Sequence, residues 1–174
     1  QKTIDELKSQ GIRNNVAITH QGYDMDKAMA AKLTDVDVII GGDSHSLLGD
    51  FKAVGITSSS GSYPTVITNK SGEPVCIGQA WDYSKAFGLM YVQFTESGAV
   101  KSCGGRATLL IGDQFKRKDT AGAWQTVSDT VRTTLMANLA ANQPLVKVLT
   151  PDAAAVATLK TYADQVNAEK AKPI

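Results

Sequence analysis

Several features are scarce in this 174-residue chain, and each scarcity excludes something. There is no basic excess: 18 Lys and Arg stand against 17 Asp and Glu, for a net charge of +1. Releasing counterions from a nucleic-acid backbone needs a surplus of cationic side chains, so no nucleic acid is expected as a partner, nor an anionic membrane surface. No block of like charge suggests an acidic tail. Long apolar runs are missing too: none exceeds about five residues, against the roughly 20 that a bilayer crossing requires, so no transmembrane segment is expected. The chain begins with Gln1 and has neither the basic start nor the apolar middle of a secretion signal, and is expected to be a processed chain or a piece of one. Cys76 and Cys103, the two cysteines, are too few for a disulfide scaffold and too far apart for a C-x-x-C redox or zinc motif. One disulfide or two quiet thiols both stay open. Aromatic residues make up 6%, with no stacking partner or basic interleave, so Tyr23, Trp81 and Phe87 are expected in ordinary packing or at the surface.

At 43% apolar, the chain is long enough to bury one sizeable core and too short for two full domains. Thr3-Ile-Asp-Glu6 has capping-box spacing and opens a short helix that Gly11 can end. Val16-Ala-Ile-Thr19 reads as a buried strand running into His20-Gln-Gly22. From Asp24 to about Leu33 the residues favour helix, with Asp24 and Asp26 in the first turn where the dipole favours acid. Val36-Asp-Val-Ile-Ile40 then runs into Gly41-Gly-Asp-Ser-His45, which completes a βαβ unit with a right-handed crossover. Residues 46–63, rich in Gly and Ser, read as a surface excursion. Short strands follow at Thr65-Val-Ile-Thr68, Val75-Cys-Ile77, Leu89-Met-Tyr-Val-Gln-Phe94 and Ala107-Thr-Leu-Leu-Ile111, with hairpin turns at Ser71-Gly72 and Ser97-Gly98. Beyond Gly112 two helices are expected, one with Val127, Val131, Leu135 and Leu139 on a stripe, the other with Val156, Leu159, Ala163 and Val166. Thr150 and Pro151 fit the N-cap and first position of the second. The pattern predicts a layered α/β core with a mixed sheet that the chain leaves as helices from about Thr120.

Chemistry concentrates in the βαβ unit, because ligands of open α/β sheets gather at the carboxyl ends of parallel strands. Both histidines of the chain, His20 and His45, sit there, and Asp43 lies two positions before His45. Glycines at 22, 41 and 42 permit the turns that would bring these side chains to one point. Imidazole and carboxylate without thiolate suit zinc, manganese or another first-row divalent ion. Set against this, a histidine after a strand often serves as a hydrogen-bonded structural residue. A phosphate-cradling turn at Gly41-Gly42 is disfavoured, since neither G-x-G-x-x-G nor a P-loop lysine follows. Asp24, Asp26, Asp37, Asp82 and Asp113 read as helix-start or loop charges.

Thr19-His-Gln-Gly-Tyr23 and Val36-Asp-Val-Ile-Ile-Gly-Gly-Asp-Ser-His45 resemble the second half of the catalytic domain of the 5′-nucleotidase family of binuclear metallophosphoesterases. The resemblance continues through Tyr63-Pro-Thr-Val, Pro74-Val-Cys-Ile-Gly-Gln-Ala-Trp81 and Ser102-Cys-Gly-Gly105. It implies a partial α/β/β/α sandwich over residues 1–119 and a helical linker over 120–174 toward an absent substrate-binding domain. His20 matches a ligand of one metal of a two-metal centre, and Asp43 falls where the family carries a second histidine on that metal. His45 falls where a side chain reaches the other metal. Carboxylate for imidazole at Asp43 adds negative charge, which raises cation affinity and weakens Lewis acidity. The family's Asp-x-His start, bridging Asp and Asn-His-Asp/Glu segment have no counterpart here, so no catalytic residue is assigned within the chain. Its nucleotide-holding arginines and aromatic rings are likewise missing.

The resemblance therefore implies a fragment of a secreted, periplasmic or extracellular hydrolase that removes phosphate from nucleotides. Its cofactors would be two divalent ions (zinc, manganese or cobalt), and its partners the remaining N-terminal and C-terminal parts of the same enzyme. Alone, the chain is expected to be inactive. The alternatives are a catalytically silent binding or structural fragment, or a phosphoesterase for cyclic nucleotides, nucleotide sugars, NAD or non-nucleotide esters. An oxidising compartment, with the two cysteines on what read as neighbouring strands, leads to the expectation of a Cys76–Cys103 disulfide.

Overall fold

A computed structural model of the chain describes residues 1–172; positions 173 and 174, the end of the expected linker, lie outside the described residues. Helix α1 (Lys2–Ser9) starts earlier than the capping box suggests, with Gln1 as N-cap and Thr3 inside the helix. The Gln1 amide bonds Asp5 Oδ1 at 2.7 Å and Thr34 Oγ1 at 2.8 Å, so a tertiary contact sets the start. Strands β1 (Val16–Ile18) and β2 (Val38–Ile40) pair in parallel on either side of α2 (Tyr23–Lys32), as the βαβ pattern predicts. With β3 (Thr65–Thr68) and β4 (Pro74–Gly78) they form a sheet of order β1-β2-β4-β3, in which β2 and β4 are parallel and β3 and β4 a hairpin.

Alternation assigns the two faces of this sheet. Ile39, Val75 and Ile77 pack with Tyr23 and Ala30 of α2 in a first core cluster, flanked by Ala17 and Ile67. The opposite face presents Val38 and Cys76 to Val100, Met90, Val92 and Cys103 of a second sheet. That sheet has the order β5-β6-β9, with β5 (Ala86–Phe94) and β6 (Val100–Ile111) antiparallel and β9 (Val146–Val148) parallel to β6. Helix α3 (Asp129–Ala141) packs against β9. The result is a partial α/β sandwich of helix and sheet layers. A disulfide joins Cys76 to Cys103, with Cα atoms 5.8 Å apart. It links two sheets facing each other, not neighbouring strands of one sheet.

Four expectations are corrected. First, β1 is no buried strand: it lies at a free edge, with Val16 60% and Ile18 86% exposed. Three apolar residues read alike at a sheet's centre and edge; only the neighbouring strand decides. Second, residues 46–63 are more than surface excursion, because Leu47, Leu48 and Phe51 are buried and bridges tie Leu47 to Ala80 and Leu48 to Gly61. Third, the chain does not leave the core at Thr120. An exposed hairpin of β7 (Lys116–Lys118) and β8 (Trp124–Thr126) precedes α3, which begins after Val127, and Val146 is buried in the cluster of Phe51, Ala86 and Leu109. Fourth, α4 (Ala153–Lys170) is capped by Asp152, whose Oδ1 accepts from Ala155 N at 2.8 Å, so Thr150 and Pro151 precede it. Helix α4 has no buried residue and stands apart from both sheets.

Candidate functional site at the ends of the parallel strands

Because β1, β2 and β4 run in parallel, their carboxyl ends deliver the segments 19–22, 41–46 and 79–84 to one edge. Backbone bonds knit them: Thr19 N to Ile40 O at 3.0 Å, Gly22 N to Gly42 O at 3.1 Å, Gly41 N to Gly78 O at 2.9 Å and Trp81 N to Ser46 O at 3.2 Å. Among the described residues, six that are not glycine have left-handed backbone, and five of them, Asp43, His45, Trp81, Tyr83 and Ser84, lie in these segments. Each costs on the order of 1–3 kcal/mol and persists only where the surroundings over-determine it, so the strain itself marks this edge as a functional candidate.

His20 and Asp43 meet here, with Nε2 and Oδ1 3.5 Å apart and both side chains open to solvent. Two ligands each roughly 2.1 Å from one tetrahedral cation lie about 3.4 Å apart, so the spacing suits neighbouring donors of a single ion. A Cβ at position 42 would stand 2.9 Å from His20 Nδ1, which explains the glycine. His45 does not join this pair. Its Nδ1 lies 3.9 Å from Asp82 Oδ2, and its ring packs edge-on to Tyr83 with centroids 5.6 Å apart. Among the described residues, no three His, Cys, Asp or Glu side chains are grouped to hold one ion. The donor set fits divalent-ion chemistry, but as two histidine–carboxylate pairs rather than a closed shell.

Gln79, just past β4 and 3% exposed, holds the 41–46 loop in shape. Its Nε2 donates to Gly42 O at 3.1 Å, and its Oε1 accepts from Ser44 Oγ at 3.2 Å and from Ser46 N. Ser44 Oγ in turn accepts from Tyr23 N at 2.9 Å, tying the loop to the start of α2. Asp26 stands in the first turn of α2, as the sequence suggests, but is fully buried under the loop rather than open to solvent. Its Oδ1 accepts from Gln21 Nε2 at 2.9 Å, its Oδ2 has no partner, and a Cβ on Gly41 would collide with it. Helical spacing offered the signal: Tyr23, Asp26 and Ala30 share the inward face of α2. For Gln79 no local signal exists, since its partners are 33 to 37 positions away.

The remaining acids divide. Asp24 is an exposed first-turn charge paired with Lys27 at 2.9 Å. Asp37 is buried, accepts from Asn15 N at 2.6 Å, and burial pushes its carboxyl above the ordinary value. Asp113 is paired with Arg132 at 2.7 Å, which lowers its carboxyl. Asp82 is not a free loop charge: its side chain is 13% exposed and its Oδ1 sits 3.2 Å from Lys85 Nζ. Of the aromatics, Tyr23 is core and bonds Thr65 Oγ1 at 2.7 Å, Trp81 is half-buried, and Phe87 is 56% exposed.

Fold and site together define a class: a partial α/β sandwich with a polar, strained constellation at the carboxyl ends of its parallel strands. No family model matches the chain. It is 34% identical to human 5′-nucleotidase over 110 residues, which make up 63% of this chain and 19% of that protein. With the NAD 5′-nucleotidase of Haemophilus influenzae it shares 30% identity over 142 residues, 70% of this chain and 24% of the relative. The solved structure of Haemophilus influenzae NAD nucleotidase superposes with a TM-score of 0.83 at 26% identity, covering 95% of this chain and 33% of that one. The 5′-nucleotidase precursor of Thermus thermophilus gives a TM-score of 0.60 at 32% identity, over 81% of this chain and 26% of its own. The chain belongs to the 5′-nucleotidase family, a family of hydrolases. It spans about a fifth of the length of the curated relatives it matches.

Proposed function

We propose that this chain is one side of the catalytic centre of a 5′-nucleotidase-like hydrolase that removes phosphate from nucleotides. The supporting observation is the His20–Asp43 pair at the strand ends, 3.5 Å apart, with Asp43 held on left-handed backbone. In this reading His20 and Asp43 serve one divalent ion and His45 the other. Bound zinc, manganese or cobalt supplies Lewis-acid stabilisation of a phosphoryl group. The chain's own contribution is to hold these donors: Gln79 keeps the 41–46 loop fixed, and Gly42 leaves room for the His20 ring. The other ligands come from the remaining N-terminal part of the enzyme. The free edge of β1 and the uncovered apolar face at Val16, Ile18 and Ile40 support a sheet that continues beyond this chain.

The residues through β9 are assigned to the second half of the catalytic domain, because β9 completes its second sheet, and exposed α4 to the connection toward a C-terminal substrate-binding domain. Periplasmic or extracellular residence agrees with the disulfide. A dinucleotide such as NAD is the second substrate reading, favoured by the 95% coverage in the superposition with the NAD nucleotidase.

The test is to assay the chain on AMP and NAD with zinc, manganese or cobalt, alone and mixed with the matching N-terminal segment. Turnover is expected only on mixing, and is expected to fall when His20 or His45 is replaced by Ala. Robust turnover by the chain alone, shown by mass spectrometry to be free of other peptides, overturns the claim that the site is incomplete.

A further inference from the structure

We propose that Asp82 is a positioning residue for His45, holding the imidazole from its Nδ1 side so that Nε2 is the nitrogen presented to a cation. This rests on the reading of His45 as a metal ligand. The two histidines of the edge face carboxylates in opposite ways. His20 turns Nε2 toward Asp43, both groups being open to solvent, as two donors to one ion would be. His45 turns Nδ1 toward Asp82, whose side chain is nearly buried.

Three observations make Asp82 a support rather than a ligand. Lys85 Nζ lies 3.2 Å from Asp82 Oδ1 and donates to Oδ2 at 3.3 Å, so the charge of the carboxylate is already matched by an ammonium that would repel a divalent ion. The backbone spends strain to put the group there: Trp81, Tyr83 and Ser84, the residues around Asp82, are all left-handed. Tyr83, carried by the same strained turn, lies edge-on to the His45 ring with centroids 5.6 Å apart, while Trp81 N bonds Ser46 O and ties the two loops together. Metal-binding histidines usually direct their second ring nitrogen at a carboxylate, which fixes tautomer and orientation; loss of that partner costs about 10–100-fold in metal affinity.

The experiment uses the full-length protein that contains this segment, with cobalt(II) titrated by calorimetry and visible absorption, and circular dichroism as the check on folding. Asp82→Ala is expected to leave the number of bound ions unchanged, to weaken one of them about 10–100-fold and to shift its absorption bands. Asp82→Asn, which keeps an oxygen facing Nδ1, is expected to recover most of that affinity. Long-range proton–nitrogen NMR of the zinc-loaded unmutated protein reads the same point without a variant: His45 should carry its proton on Nδ1. Metal on Nδ1, complete loss of one ion in Asp82→Ala, or unchanged affinity in that variant each overturns the proposal. If His45→Ala itself leaves cobalt binding unchanged, the ligand reading fails first, and the two failures are told apart.

Discussion

Replacing Gln79 by Met keeps the length and bulk of the side chain while deleting its three hydrogen bonds, and the structure sets what each deletion costs. Gly42 O also accepts from Gly22 N and Ser44 N, so it stays satisfied. Ser44 Oγ keeps Tyr23 N and Ser46 Oγ. Ser46 N has no other acceptor among the described residues and becomes a buried orphan. An orphaned buried donor costs about 1–3 kcal/mol and each of the two further lost bonds about 1 kcal/mol, so Gln79→Met should destabilise by about 3–5 kcal/mol. With a urea slope of about 2 kcal/mol per molar for a chain of this size, the midpoint should fall by about 1.5–2.5 M. Trp81, two positions away and half-buried, reports the transition by fluorescence; Trp124 is 63% exposed and contributes less signal change. Gln79→Glu keeps an acceptor for Ser46 N but sets a carboxylate near Gly42 O and buried Asp26, and should be no better tolerated. A Gln79→Met midpoint within about 0.2 M of the unmutated chain would refute the view that this side chain holds the loop.

Removing the disulfide as Cys76→Ala with Cys103→Ala opens a loop of 27 positions, for which chain entropy gives a loss of about 3.5 kcal/mol. Equal urea midpoints for the double variant and the oxidised chain would contradict this. Asp37 sets a pH dependence. Burial raises its folded pKa above the ordinary 3.8, so its protonated form stabilises the fold below that value and the benefit is lost as pH rises through the raised folded pKa. Asp37→Asn still offers Asn15 N an oxygen, and should gain stability relative to the unmutated chain as pH rises from about 3.5 to about 7, with pH steps taken about every half unit. A stability difference that stays flat with pH would count against it.

Local chemistry alone settled a good part of this protein. The βαβ unit, both hairpins and the run of strands from Thr65 to Ile111 follow from apolar periodicity and from turn residues such as Gly72 and Gly98, which act within a few positions of themselves. The same reading drew attention to His20, Asp43 and His45, because strand ends followed by glycine are local patterns. What joins these residues was not legible. Whether β1 is covered, whether Leu48 and Phe51 are core, and whether Val146 adds a strand to β6 depend on partners tens of residues away. The site divides the same way: His20 finds Asp43 and His45 finds Asp82 only because three parallel strands end side by side, and Gln79 and Asp26 matter only because the loop lies upon them. Propensity and period are properties of a short window, whereas burial and pairing are set by which segments the whole sheet brings together.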